Sequence, residues 1–262
     1  MRQKERLLLV LAALAVTVAL FVPAIPQDPA YHRFADGTAR FGIPNFWNVV
    51  SNLPFLAVGL AGVLDVYRGR PAILGEFHIA YLIFFAAVAL VAPGSAYYHL
   101  NPNNATLVWD RLPMTVAFMA LFSIVLAEYV SVALGRRLLW PLLVIGVVSV
   151  FYWDFTEAQG RGDLRLYGLV QFLPMLLIPP ILLLFRSRFG GTAYLWAVLG
   201  AYAVAKAAEL LDEPIFRIFH PLSGHALKHL LAALGVYIFL AAIRRRSTVS
   251  PSPVCRHEKE TS

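Results

Sequence analysis

Ser95 and His99 stand four residues apart in GSAYYHL (94–100), where a long apolar run ends, and His225 and His229 repeat that spacing in SGHALKHLLAA (223–233). In a helix, residues four apart lie one above the other, with Cβ atoms about 6 Å apart. His225 and His229 can therefore offer two imidazoles to one metal ion. His99, expected at the same depth, would supply a third nitrogen. Three histidines with one position left open form the donor set of a catalytic zinc site. Ser95 shares a helical face with His99, so its hydroxyl could enter the same cavity and donate to a developing oxyanion. Asp110, in LVWDRLPM, lies eleven residues beyond His99 across a short turn. Near a metal-bound water it could serve as general base and then as general acid.

Each of these residues also has a plainer reading. A histidine at a membrane interface can simply bond a backbone carbonyl, and a serine in a membrane helix often bonds its own backbone. Asp110 could favour a helix N-terminus or pair with Arg111. Other chemistries fit less well. Two histidines four apart on one helix cannot reach opposite faces of a porphyrin, so haem ligation would use only one of them with His99. A rhomboid-type serine protease would need a G-x-S-G pattern, which PGSAYY does not supply.

The elements that must position these groups are membrane helices. The chain is 262 residues long, 59% hydrophobic and 14% charged, with a mean hydropathy of +0.68. Soluble domains carry about 45–50% apolar residues. At about 20 apolar residues per crossing, eight spans are expected, near 7–25, 46–67, 76–99, 107–130, 138–155, 164–185, 191–211 and 222–243. The formal charge is +7. Its Lys and Arg residues sit in short tracts between apolar runs, which argues for membrane orientation and against nucleic acid. The tracts are Arg2, Lys4 and Arg6; Arg68 and Arg70; Arg136 and Arg137; Arg186 and Arg188; and Arg244 to Arg246. All five are expected to face the cytoplasm, with both termini there and the histidines toward the outer face. This suits a bacterial inner membrane. The start MRQKER plus an apolar stretch resembles a signal peptide but lacks a clear cleavage site, so residues 1–25 read as a retained anchor. Residues 26–246 read as one helical bundle, and 247–262 as a disordered cytoplasmic tail. The single cysteine, Cys255, lies in that tail, which leaves His and carboxylate as metal donors.

FWNVVSNLPF (46–55), GSAYYHL with its S-x-x-x-H, WDRLPM with Asp110, and HALKHLLAA with its H-x-x-x-H resemble, in this order, the alkaline ceramidases. These belong to the CREST group of membrane hydrolases, which also contains the adiponectin and progestin receptor family. The resemblance runs over residues 40–243. It implies an all-α integral membrane fold, with a seven-transmembrane-helix hydrolase core plus, here, one extra N-terminal helix. It also implies a Zn2+ ion held by His99, His225 and His229, with Ser95 assisting the oxyanion and Asp110 handling protons. The implied reaction is hydrolysis of the amide of ceramide or a related N-acyl lipid to a fatty acid and an amine or sphingoid base. The alternative from another class is a non-catalytic zinc-containing receptor or sensor. Transport is disfavoured, because no pair of interrupted helices occurs in matching halves.

Two positions depart from the family. Alkaline ceramidases carry an acidic calcium site that includes a Glu immediately before FWN; Asn45 stands there, with Asp36 the nearby carboxylate, which argues against calcium. The residue between the paired histidines that is often Trp is Lys228, a charge near the expected metal that suits a headgroup bearing an anion. Three further expectations concern the surroundings. Lys206 and Glu209 are expected to pair on one helix, or else to line a substrate cavity. Asp154, Glu157, Arg161, Asp163 and Arg165 (within 152–167) read as a solvated outer connection in which Arg161 or Arg165 could meet a lipid headgroup. Trp47, Trp109 and Trp153 read as interface anchors.

Overall fold

The computed structural model describes residues 3–70 and 72–247; the expected tail and Cys255 fall outside them, apart from Ser247. Ten α-helices occur among the described residues: α1 (Gln3–Phe21), α2 (Phe46–Val50), α3 (Leu53–Tyr67), α4 (His78–Leu100), α5 (Asn104–Val125), α6 (Val132–Ala158), α7 (Arg165–Leu184), α8 (Thr192–Leu210), α9 (Asp212–Phe219) and α10 (Gly224–Arg245). α5 runs on through a π-helical turn, Leu126–Val130. Six segments are long and apolar enough to cross a membrane, and a seventh arises if α8 and α9, bent by 85° to each other, count as one. The fold is an all-α integral membrane bundle. α1 is not among those segments: Lys4, Glu5 and Arg6 fill its first turn and leave 15 residues, Leu7 to Phe21, about 22 Å of helix.

Consecutive helices α3, α4, α5 and α6 pack side by side. α7 lies against α5 and α6 with α1 on its outer side, and α10 closes the ring against α3 and α8. α8 runs along α10 and barely touches α7. Tyr81, Phe84, Phe85 and Phe239 interlock as an aromatic core between α4 and α10. At the basic end, the buried Arg246 guanidinium bonds both carboxylate oxygens of Glu128 and donates to the Ala72 carbonyl at 2.7 Å. Arg244 and Arg70 pair with Asp65 at the same end, and Lys4 reaches the Leu184 carbonyl. Basic groups from the first, second and last expected tracts thus gather at one end of the bundle.

The opposite end is built for close approach. A β-carbon at Gly94 would lie 2.3 Å from the Trp109 carbonyl oxygen, so α4 and α5 meet backbone to backbone beside Ser95 and Asp110. One at Gly224 would lie 2.1 Å from the Ala208 carbonyl oxygen, which fixes the start of α10 against the end of α8. Between the helices runs a cavity of about 450 Å³, lined from α3, α4, α5, α7, α8 and α10. Its deep part is apolar, ending around Val125, Ile178 and Phe239. Its other end carries Ser95, Asp110, Arg111, Lys206, Glu209, Lys228 and His229.

Candidate active site

Local sequence signals place the helices that present the site. Asn103 caps α5: its side chain accepts from the Thr106 N–H at 3.0 Å, while Thr106 Oγ1 accepts from the Asn103 N–H at 3.2 Å. This reciprocal capping box fixes where α5 begins and puts Asp110 in its second turn. Ser223 caps α10 by accepting from the Ala226 N–H at 3.1 Å, so His225 and His229 fall in its first two turns. At the end of α4, the Asn45 side chain donates to the His99 carbonyl at 2.8 Å.

The structure brings His99, His225 and His229 together. Their ring centroids form a near-equilateral triangle with sides of 5.0, 5.1 and 5.1 Å, and one nitrogen from each lies within 4.8 Å of the others. All three residues are buried. Both ring nitrogens of His99 and Nε2 of His225 have no hydrogen-bond partner. Leaving a buried polar atom unmatched costs about 1–3 kcal/mol, and a single cation would take one lone pair from each of the three rings. The donor set therefore fits a metal, and among the described residues it is the one such group of His, Cys, Asp or Glu.

The supporting residues escaped the sequence reading. Ser51 donates its single proton to the Asn48 carbonyl (3.2 Å) and so accepts from Nδ1–H of His229 at 2.8 Å. That contact fixes the tautomer and leaves Nε2 of His229 free to bind a metal. Asp212, opening α9, accepts from the backbone N–H of His225 (2.7 Å) and of Ala35 (2.9 Å). It joins the start of α10 to the N-terminal connection. Phe34 from that connection packs on His99 and His225, with centroids 4.8 and 4.5 Å away. The connection is pinned by His32, whose Nε2 donates to Asn104 Oδ1 (2.9 Å) while Nδ1 accepts from Tyr98 OH (3.0 Å). The pattern FWNVVSN held the one available hint, because Ser51 lies within it. Replacing Ser51 by Ala should lower metal affinity or activity by about 10–100-fold, measured by chelator competition on the folded protein.

Ser95 and Asp110 are both buried and line the cavity that His229 also lines. The Ser95 hydroxyl lies beside the Asp110 carboxylate, placed to donate to it. Asp110 forms no ion pair with Arg111, so the pairing alternative fails. Lys228 is not a free charge near the histidines: it pairs with Glu209, which also pairs with Lys206, and all three line the cavity. Asp36 spends one carboxylate oxygen on the Thr38 N–H at 3.0 Å, and Asn45 uses its amide as a donor.

Two surrounding expectations change. Trp153 is fully buried and stacks on Arg111 (4.1 Å), so it is no interface anchor. Arg165 is held by Asp163 at 2.8 Å and donates to the Val22 carbonyl, also at 2.8 Å. It anchors the end of α1 and is committed away from any headgroup. The Arg165 hydrogen bonds hold the Asp163 carboxyl at about 2. A depressed carboxylate contributes stability above its ordinary value of about 3.9. That contribution is lost only as pH falls through about 2.

Residues 39–176 match the family model described as Ceramidase, a span that holds Ser95, His99 and Asp110; α10, with the other two histidines, lies beyond it. No curated protein matches the chain.

Proposed function

The chain belongs to the ceramidase family, hydrolases of the ceramide amide bond, and we propose that it is a zinc-dependent amidase of the membrane. Its substrate on this reading is ceramide or a related N-acyl lipid, cleaved to a fatty acid and an amine. The observation that supports it most is the convergence of His99, His225 and His229 beside Ser95 and Asp110, at the polar end of an otherwise apolar cavity.

His99, His225 and His229 would hold the zinc, which when bound would supply Lewis acidity and a water acidic enough to react near neutral pH. Asp110 accepts a proton from the attacking water and delivers it to the leaving amine as the C–N bond breaks. The Ser95 hydroxyl turns from Asp110 to the acyl oxygen and donates to it as negative charge builds there. Ser51 and Asp212 keep His229 and His225 in place. The aliphatic and aromatic lining holds the acyl chain and keeps bulk water from the reacting carbon.

The basic end of the bundle faces the cytoplasm on this reading, with both termini there and the site at the outer face of a bacterial inner membrane. α1 is an added anchor beside α7.

Purified protein, assayed with N-acyl lipids labelled in the acyl chain, is expected to release labelled fatty acid and to carry about one zinc per chain, the content of a single three-histidine site. Chelation should abolish release, and zinc should restore it. Zinc-replete protein that binds these lipids without cleaving them would overturn the enzyme reading in favour of a receptor.

A further inference from the structure

Arg111 follows Asp110 on α5 and lines the same cavity, yet the hydrolysis above gives it no task. It is 4% exposed and enters none of the ion pairs found among the described residues. Nη2 donates to the Gln27 side-chain oxygen at 2.6 Å, whereas Nε and Nη1 are buried without an acceptor. The rings of Trp153, Tyr167 and Tyr31 surround the guanidinium, with centroids 4.1, 4.5 and 5.6 Å from Cζ. Ring faces attract the cation but leave its in-plane N–H groups unmatched.

Neither neighbouring carboxylate bonds the guanidinium. Glu157 accepts from the Gln27 backbone N–H and the Trp153 indole, and Asp110 lies beside Ser95. The polar end of the cavity carries three cationic side chains, Arg111, Lys206 and Lys228, against two carboxylates, Asp110 and Glu209. Nε and Nη1 of Arg111 are therefore free donors in an enclosure where unmatched polar groups are costly. Burial pushes the Tyr31 hydroxyl above the ordinary phenol range, so it stays protonated and adds a neutral donor to the wall.

We infer that Arg111, with Gln27 and Tyr31, forms a subsite for an anionic group on the amine side of the N-acyl lipid. The inference rests on the amidase reading. Arg111 and Asp110 line one cavity, and the Arg111 charge acts on the Asp110 carboxyl, so an anion at Arg111 belongs on the part of the substrate nearest an amide at Asp110. A carboxylate on the carbon next to the amide nitrogen meets that requirement, as does a phosphate ester one carbon further. A guanidinium binds either through charge-assisted hydrogen bonds. Neutral ceramide would leave Nε and Nη1 as they are.

The test compares kcat/KM within matched pairs: N-palmitoylglycine against N-palmitoylethanolamine, and ceramide 1-phosphate against ceramide. The native protein is expected to prefer an anionic member, and Arg111→Gln should reduce that preference roughly 30-fold or more. A preference confined to the first pair identifies a carboxylate; one confined to the second identifies a phosphate. No preference in the native protein, or one that Arg111→Gln leaves intact, overturns the subsite. If Arg111→Gln does not fold, Arg111→Lys and Gln27→Ala carry the same comparison. If none of the four lipids is cleaved, the amidase reading fails, and binding alone decides the subsite. N-palmitoylglycine should then quench Trp153 fluorescence where N-palmitoylethanolamine does not, with Trp153→Phe as the blank, and equal responses overturn it.

Discussion

His229→Ala is expected to lose metal and hydrolysis together. The imidazole is one of three converging donors, and two remaining ligands hold zinc far more weakly than three. The rate should fall by more than the roughly 10–100-fold typical of losing only a supporting contact. Metal content per chain, read by mass spectrometry beside fatty-acid release, checks both halves. Because His229 also meets Ser51 on α2–α3, a melting curve should accompany the assay. A fully active, metal-free His229→Ala protein would remove the histidine cluster from the chemistry altogether.

Asp110→Asn separates proton transfer from metal binding. Asn keeps the size of the side chain and its contact with Ser95 while losing the ability to carry a proton. Turnover should drop about 10²–10⁴-fold, with zinc content unchanged and KM little altered. The pH–rate profile should also lose the limb that reports the base. Wild-type turnover in this variant would return Asp110 to a structural role at the α4–α5 contact, where Gly94 meets the Trp109 carbonyl.

Much of the architecture could be read directly, because a helix solvated by lipid must satisfy its own backbone and show an unbroken apolar run. The segments expected at 46–67 and 76–99 appear as Phe46–Tyr67 and Gly75–Leu100. α6 begins at Val132 rather than near 138, because Arg136 and Arg137 sit inside its first turns and do not end it. The histidine spacing was legible for the same reason, since residues four apart share a helical face. Ser51 and Asp212 were not. Each acts across a tertiary contact of more than ten residues in sequence, to His229 and to His225, and apart from the FWNVVSN pattern around Ser51 no local signal announces such a partner. Trp153 was misjudged on similar grounds, and the partner of Lys228 was missed. A cation in a helix looks free until Glu209 on α8 is placed against it. A tryptophan near a span end looks like an anchor until it closes over Arg111.

The cavity has a further consequence for which lipids fit. Asp110 and Val125 line it fifteen residues apart on α5, about 22 Å at 1.5 Å per residue. On the amidase reading proposed above, a tail whose carbonyl carbon is held at Asp110 would run toward Val125, Ile178 and Phe239, so tails would be measured from the cleaved bond inward. Because the tail comes from a bilayer as apolar as the cavity, each missing methylene would forgo only packing contacts, which grades selectivity gently on that side. Longer ones must turn aside where α7 and α8 barely touch and trail into the surrounding leaflet, so the upper limit on length is the looser of the two.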